Sequence, residues 1–247
     1  MPEFRTPELK PGERFDDLNC KGYRVIQDPD SFCFGMDAVL LANFAKIKRG
    51  AKVLDLCTGT GVIPILLAAK NNPARIDALE LNPDSALRSK RSVYANGLED
   101  LVYIICGDVC EASKIYGRDS MDAVTVNPPY MAADEGLLNP DDAKNMARHE
   151  ITCTLEDVIR ESAAVLREKG SFFMVHRPFR LVDIITTMKK YRLEPKRLRM
   201  VHSKLGKEAT MVLIEGAKGG GSWLNVERPL IIYDENGNYT EDVPGDC

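Results

Sequence analysis

The sequence has 247 residues, a net charge of −4, 44% hydrophobic residues and 28% charged residues. These values are typical of a globular protein with one domain, or one domain and a small appendage. No apolar run approaches the roughly 18 residues of a membrane span, and the N-terminus lacks a signal-peptide pattern, so we expect a cytoplasmic protein without membrane contact. The cysteines and histidines show no metal-ligand spacing, so no metal site is predicted.

Residues 1–30 begin with several prolines and alternating charges, which predicts an N-terminal arm or short strands. A first helix is then indicated after Gly35, because Met36, Val39 and Phe44 recur at helical spacing. Asp37 would lie in the first turn of this helix, beside free backbone N–H groups. It would either face a ligand or only complement the helix dipole.

The clearest strand–turn–helix unit lies at residues 51–69. An apolar strand leads into Gly59 and Gly61, which permit a tight turn and close approach of a ligand to the backbone. Pro64 stands where the dinucleotide fingerprint has its third glycine, and Asp55 would repel a diphosphate. A cofactor with a cationic amino group suits Asp55 better, which favours S-adenosylmethionine over NAD.

Two further predicted strands end in acidic residues. Glu80 closes the strand at residues 75–81 and lies 19 residues after Gly61, close to the spacing at which an acidic residue binds ribose hydroxyls. Asp108 follows the strand at residues 101–106, where it can accept a hydrogen bond from an adenine amino group. The alternatives are a solvent-exposed glutamate at a strand end and an aspartate that serves only as a loop or cap residue.

A fourth apolar run, residues 121–126, ends at the motif Asn127-Pro128-Pro129-Tyr130, whose prolines stop the strand. The Asn127 amide oxygen and the Pro128 carbonyl can both accept hydrogen bonds from an exocyclic NH2, and Tyr130 can stack on the planar group that carries it. Asn-Pro and Pro-Pro are also ordinary turn signals.

Four polar residues therefore follow four predicted strands. Right-handed crossovers bring the carboxyl ends of parallel strands to one edge of a sheet, where ligands bind. We therefore expect these residues to meet at that edge: Asp55, Glu80, Asp108 and Asn127.

The second half of the chain predicts a helix from Thr154 to about residue 167, a strand at 171–176 and a helix that opens at Pro178. Strands near 193–201 and 209–215 follow, then a glycine-rich linker and a tail with a small hairpin across residues 217–247. Eight basic residues in this half either follow RNA phosphates or form a solvated face: Lys189, Lys190, Arg192, Lys196, Arg197, Arg199, Lys204 and Lys207.

The glycine turn at residues 55–61 and the motif at 127–130 together resemble the class I S-adenosylmethionine-dependent methyltransferases that act on amino groups. Three further segments strengthen the likeness: residues 32–42, residues 147–150 and residues 229–233. With Arg177-Pro178 they resemble the bacterial tRNA (adenine-N6)-methyltransferases that modify an adenosine beside the anticodon of a valine tRNA.

The resemblance implies an α/β fold across residues 31–216. Its Rossmann-like sheet would have seven mostly parallel strands, the last antiparallel, with helices on both faces. It implies S-adenosylmethionine as cofactor, S-adenosylhomocysteine as product, tRNA as partner, and a monomer or weak homodimer. It implies catalytic roles for Asn127, Pro128, Pro129 and Tyr130. It implies cofactor contacts at Phe34, Asp37, Asp55, Cys57, Thr58, Gly59, Gly61, Glu80, Leu81, Asn82, Gly107, Asp108, Val109 and Asn127.

Several alternatives remain open at this stage. Methyltransferases with the same motif also modify a protein glutamine amide, a ribosomal RNA base or a DNA base. An RNA-binding module that has kept the fold and lost its chemistry is a non-enzyme alternative, against which the intact motif argues. A nicotinamide dehydrogenase is disfavoured by Pro64 and Asp55.

Overall fold

The computed structural model describes residues 4–30, 33–129 and 153–243, so Phe32, Tyr130 and the segment 147–150 lie outside the described residues. The strands are β1 Arg14–Asp17, β2 Arg24–Gln27, β3 Lys52–Leu56, β4 Arg75–Glu80, β5 Val102–Cys106, β6 Met121–Val126, β7 Leu166–His176, β8 Leu193–Lys204, β9 Ala209–Lys218, β10 Asn225–Val226 and β11 Leu230–Tyr233. The α-helices are α1 Met36–Phe44, α2 Val62–Asn71, α3 Pro83–Ala95, α4 Ala112–Tyr116, α5 Leu155–Val165 and α6 Leu181–Lys190.

One nine-stranded sheet organises the chain, and its seven principal strands lie in the order β5-β4-β3-β6-β7-β9-β8. Neighbours from β5 to β7 pair in parallel, whereas β9 is antiparallel to both β7 and β8. The predicted seven-stranded, mostly parallel sheet with an antiparallel last strand is therefore confirmed. Two short strands that the sequence did not predict in the sheet, β10 and β11, pair in parallel with β8.

Helices cover both faces of the sheet, which explains why β3, β4 and β6 read as nearly continuous apolar runs. One buried cluster lies under α1, α2 and α3, and a second lies under α4, α5 and α6. The longest described helix, α3, has 13 residues. Within the described ranges, no helix is both long enough and apolar enough to cross a membrane.

The boundary between α5 and β7 differs from the prediction. The helix ends at Val165, and β7 begins at Leu166 rather than at Ser171. Leu166 is already paired with Met121, and the register between β6 and β7 shifts before Ala123. Leu166, which we expected in the helix, thus belongs to β7, and Lys169 further along takes a positive φ of 63°.

The C-terminal tail also differs from the small hairpin that we expected. Leu230–Tyr233 joins the main sheet beside β8, and a single bridge connects Tyr233 to Tyr239. The two tyrosine rings stack with centroids 5.3 Å apart. Arg199 on β8 pairs with Asp242 at 2.8 Å, which fastens the tail to the strand.

The N-terminal hairpin, β1 with β2, packs against α3 through a buried ionic cluster. Glu13 pairs with Arg88 at 3.3 Å and with Arg91, and Arg88 pairs with Asp28 at 2.9 Å. Burial raises the pKa of Glu13, but hydrogen bonds from Arg91, the Lys10 backbone N–H and Arg88 outweigh it and lower the pKa to about 2. The charged form of Glu13 therefore stabilises the folded chain.

Glu13→Gln should lower the free energy of unfolding at pH 7 by roughly 3 kcal/mol, because it leaves buried arginines without their carboxylate. The contribution of Glu13 is present above its unfolded pKa, near 4.5, and disappears as the pH falls towards 2. Urea unfolding at pH 7 and pH 3 measures both effects. Glu99→Gln, which breaks the exposed pair with Arg5, should change stability by less than about 1 kcal/mol. Equal losses in the two variants would contradict the assignment.

Candidate active site

The turn after β3 is held tightly against α3. Cys57 has a φ of +58° and Gly61 a φ of +83°. A Cβ on Gly61 would lie 3.2 Å from the Cβ of Ser89, and the Ser89 hydroxyl donates to the Gly59 carbonyl at 2.6 Å. Glycine is therefore required at position 61 both by its backbone conformation and by its close contact with α3.

Glu80, at the end of β4, holds this glycine turn in place. One of its carboxylate oxygens accepts from the Gly59 N–H at 2.8 Å, and the other accepts from the Asn82 N–H at 2.9 Å. The residue is only 8% exposed. The alternative of a solvent-exposed glutamate at the strand end is therefore wrong, because both oxygens bind backbone at the edge of the sheet.

Asp55 is fully buried near the end of β3. The Thr125 hydroxyl donates to Asp55 Oδ1 at 2.6 Å. Asp55 Oδ2 and the Thr58 hydroxyl are both buried and form no hydrogen bond of good geometry among the described residues, although the Thr58 hydroxyl lies near enough to lower the pKa of Asp55. Such unpaired atoms are costly unless a ligand satisfies them. Burial raises the pKa of Asp55 to about 7, and the nearby Glu80 carboxylate adds to the rise.

Asp108 follows β5 and caps a short 3-10 helix, Val109–Glu111, by accepting from the Cys110 N–H at 2.8 Å. The preceding residue, Gly107, donates its N–H to the Glu80 backbone carbonyl at 2.9 Å. Val109 is buried. The cap role weighed for Asp108 is therefore present, and it leaves the second carboxylate oxygen for other contacts.

The three acidic residues all raise the pKa of one group, the thiol of Cys57. Burial raises the pKa of Cys57, and the negative charges of Glu80, Asp55 and Asp108 raise it further. The thiol therefore stays protonated at neutral pH. A site surrounded by three carboxylates favours a cationic ligand and opposes a diphosphate, which matches the choice of S-adenosylmethionine over NAD.

Asn127 lies on the other side of the glycine turn, directly after β6. It is half-buried, Pro128 is buried and Pro129 is exposed, whereas Tyr130 lies outside the described residues. A pocket between α1 and the turn has Asn127 in its wall. Its lining residues are Phe34, Ala38, Cys57, Thr58, Thr60, Val62, Ile63 and Asn127.

The remaining predicted contacts lie around this pocket in different roles. Asp37 is in the first turn of α1, where its carboxylate accepts from the Ala38 N–H at 2.9 Å. Asn82 caps α3 by accepting from the N–H groups of Asp84 and Ser85. Leu81 is 36% exposed at the same edge of the sheet. The roles of Asp37, Leu81 and Asn82 in cofactor binding stay predictions.

Sequence reasoning missed two residues that support the site. Thr125 was read only as part of an apolar run, and its polar side chain inside that run was the available signal. Ser89 lies on α3, and nothing in its local sequence indicates a contact with Gly59.

A larger cavity, about 340 Å³, is lined by none of these residues. It opens near the amino ends of β3, β4 and β6, where Lys52, Arg75 and Met121 line it. Ligands of open parallel sheets bind at the carboxyl ends of the strands. The smaller pocket beside Asn127 is therefore the candidate active site.

Asp55→Asn should make the ligand-free protein more stable than the wild type at pH 8, and this gain in stability should be smaller at pH 5. The folded-state pKa of Asp55 lies above its unfolded value of 3.8, so ionisation on raising the pH opposes folding. The difference in free energy of unfolding should grow by on the order of 2 kcal/mol between these pH values. Denaturant titrations measure it, with the exposed Asp100→Asn as control. Parallel pH profiles for Asp55→Asn and the wild type would refute the role of burial.

Comparison with known proteins identifies the family to which the chain belongs. Residues 23–191 match the family model described as methyltransferase small domain. A tRNA1(Val) (adenine(37)-N6)-methyltransferase from Porphyromonas gingivalis is 30% identical over 206 residues, which are 81% of this chain and 80% of that protein. The protein of the same name from Aeromonas hydrophila is 27% identical, over 90% of this chain and 91% of its own.

Solved structures share the fold. A protein described as a predicted O-methyltransferase from Agrobacterium tumefaciens superposes with a TM-score of 0.67 at 23% identity, over 83% of this chain and 92% of its own. Geranyl diphosphate C-methyltransferase from Streptomyces coelicolor, solved with S-adenosylhomocysteine, gives a TM-score of 0.54 at 12% identity, over 72% and 79%. The family match covers more than half of the chain, in the same segment that contains the glycine turn and Asn127. The chain belongs to the methyltransferase small domain family.

Proposed function

We propose that the protein transfers a methyl group from S-adenosylmethionine to the exocyclic N6 amino group of an adenosine in tRNA, near the anticodon. The observation that carries the proposal is the position of Asn127. Its side chain lines the same pocket as the glycine turn that leads from β3 to α2. A hydrogen-bond acceptor for an amino group thus lies beside the proposed cofactor site.

The chemistry of the turn fits S-adenosylmethionine. Asp55 Oδ2 is a buried acceptor without a partner among the described residues, and the cofactor's cationic amino group would supply the missing donor. Glu80 would bind the ribose hydroxyls through its remaining lone pairs, because a carboxylate oxygen can accept more than one hydrogen bond. Asp108 would accept from the adenine amino group.

The cofactor supplies an electrophilic methyl group bonded to a positively charged sulfur. The residues of this chain would present the acceptor, because the Asn127 amide oxygen and the Pro128 carbonyl can accept hydrogen bonds from the two N–H groups of N6 and so turn its lone pair towards the methyl group. N6 would gain the methyl group as the methyl–sulfur bond breaks and leaves S-adenosylhomocysteine, and N6 would release one proton to solvent. Positioning of this kind, in a partly enclosed pocket, accounts for most of the expected rate enhancement.

The choice of adenosine in tRNA is supported by the relatives. The curated proteins named above are adenine-N6 methyltransferases of a valine tRNA, and their similarity extends over most of both chains. Their chemistry requires a target base outside a stacked helix, since an amino group inside a stack cannot reach the pocket. An unpaired nucleotide near the anticodon meets this condition.

Asn127→Ala should reduce the turnover number at least a hundredfold, as expected for loss of one group that stabilises the transition state. The affinity for S-adenosylmethionine should change little, because Asp55, Glu80 and Asp108 would still bind the cofactor. Single-turnover methylation and calorimetry separate the two effects. Asn236→Ala, an exposed amide in the tail, is the control. Undiminished methylation by Asn127→Ala would sink the assignment.

The affinity for S-adenosylmethionine should rise about tenfold from pH 6 to pH 8, because Asp55, with a pKa of about 7, must be ionised to bind the amino group. In Asp55→Asn the affinity should be lower and nearly independent of pH. Calorimetry at several pH values measures both. 5′-Methylthioadenosine lacks the amino acid portion and should bind the wild type equally well at both pH values. An unchanged pH profile in Asp55→Asn would contradict the proposed contact.

The substrate is tested directly with purified protein, labelled S-adenosylmethionine and either tRNA from a strain that lacks the protein or cytosolic protein from the same strain. Mass spectrometry of the digested tRNA should show new N6-methyladenosine. Label that appears only in protein, as a methylated glutamine, would replace this proposal with the amide methyltransferase.

A further inference from the structure

The carboxyl edge of the sheet has two halves, and only one of them carries residues of the proposed cofactor site. The ends of β3, β4 and β5 carry the glycine turn, Glu80 and Asp108, which form the proposed cofactor site. Beyond Asn127 on β6, the edge continues over β7, β9 and β8. None of the proposed cofactor or catalytic residues comes from the ends of these three strands.

Directly after β7, the chain exposes two apolar side chains. A short 3-10 helix, Pro178–Arg180, leads into α6. Phe179 on this helix is 62% exposed, and Val182 at the start of α6 is 75% exposed. Single exposed apolar residues are common, but these two lie together at the edge that holds the active site.

The hairpin between β8 and β9 adds to the same edge, because β8 runs parallel to β7 and ends there. Leu205 at its tip is 83% exposed. The hairpin is held by a contact of 2.6 Å between His202 Nδ1 and the Lys207 carbonyl. Arg177 donates to the Thr210 carbonyl at 3.2 Å, which joins the start of β9 to the segment after β7. These two segments therefore form one surface.

This surface differs in net charge from the basic cluster that the sequence suggested. Lys189, Lys190, Arg192, Arg197 and Arg199 all form ion pairs with glutamate or aspartate. Most of the cluster is thus neutralised, and that part of the RNA-phosphate interpretation has no support.

Lys204 and Lys207, at the hairpin tip, form no ion pair within the described ranges. Arg180 pairs with Asp183 at 2.9 Å, so these two charges offset each other. The acidic neighbours are Asp183 and the exposed Glu208, so this surface carries a positive excess on a chain with a net charge of −4.

We propose that this surface, called here the substrate rim and formed by Arg177, Phe179, Arg180, Val182 and residues 204–207, binds the single-stranded RNA on either side of the target adenosine. Phe179 stacks on an unpaired base, and Lys204 and Lys207 contact phosphates. The proposal rests on the proposed function and extends it to the substrate. Three strand spacings separate β6 from β8, so the rim continues for roughly 15 Å from Asn127.

RNA fits the rim better than a protein partner does. Single-stranded RNA is recognised by aromatic side chains that stack on bases beside basic groups that follow the backbone. The rim combines an exposed aromatic ring with lysines that have no acidic partner in the described ranges. The exposed apolar area is limited to three side chains, Phe179, Val182 and Leu205, whereas a protein interface of useful affinity needs a larger buried apolar centre.

Filter binding of in vitro transcribed valine tRNA, measured over a range of salt concentrations, tests the rim. Phe179→Ala should weaken binding about tenfold without changing the salt dependence, since loss of stacking removes no charge. Phe179→Leu should also weaken binding, because it keeps the apolar bulk and loses the aromatic face. The double variant Lys204→Gln/Lys207→Gln should reduce the slope of log K against log salt by about 1.4, the value for two phosphate contacts on a single strand.

Matched controls lie at other parts of the surface. Trp223 is 79% exposed and precedes β10, which pairs with the first half of β8, so Trp223→Ala should leave binding unchanged. Lys48 and Arg49 are exposed just before β3, at the amino edge of the sheet. The double variant Lys48→Gln/Arg49→Gln should keep the wild-type salt slope. Thermal unfolding should give midpoints close to the wild type for all these surface variants.

Methylation assays on the same variants separate the rim from the reaction. If both proposals hold, the rim variants raise the KM for tRNA and leave the affinity for S-adenosylmethionine unchanged. If the wild type binds tRNA through the rim and does not methylate it, the rim stands and the proposed function fails. If rim variants and controls bind tRNA alike, RNA binding by the rim is refuted, whether or not tRNA is methylated. This result is also the one expected if the rim binds a protein instead of RNA.

Discussion

The geometry of the active site depends on one buried carboxylate. Glu80 accepts hydrogen bonds from Gly59 in the turn after β3 and from Asn82 at the start of α3. The two N–H donors belong to different chain segments, and no other group of the described turn accepts from them. Both segments lie beside the proposed cofactor site. An ionised acceptor makes stronger hydrogen bonds than a neutral one. The strand β4 thereby fixes the position of the turn relative to the sheet, and Ser89 on α3 fixes it from the other side.

The same acidic surroundings determine what the site can bind. Asp55, Glu80 and Asp108 come from three adjacent strands, and their charges act together on Cys57. Burial of Asp55 without a partner for one oxygen is unfavourable for the chain alone. Functional sites commonly retain groups of this kind because the ligand satisfies them. The site is thus selective for a positively charged cofactor before any shape complementarity is considered.

The sequence predicted much of this arrangement, and the reasons for its failures are physical. Strand ends could be predicted because each apolar run stops at a polar residue, and parallel topology brings such ends together. The double role of Glu80 could not be predicted, since it depends on backbone groups 21 and 2 residues away in the chain. The end of α5 was placed too late because pairing with Met121 on β6, not helix propensity, decides where β7 begins. The basic cluster was misleading because its acidic partners, such as Glu156 on α5 and Glu215 on the neighbouring strand β9, lie outside the segment that contains the cluster.

The antiparallel strand β9 has a consequence for the position of the substrate rim. Because β9 runs in the reverse direction, the hairpin that joins it to β8 lies at the carboxyl edge of the sheet. The connections between parallel strands on that side, by contrast, cross from the carboxyl edge back to the amino edge. A hairpin loop can lengthen or shorten without altering the pairing of the strands that carry it. On the proposed substrate rim, a change in this loop would therefore alter the contacts with RNA while the cofactor half of the edge stays the same. The reversed strand keeps the loop of the rim on a different connection from the residues of the proposed cofactor site.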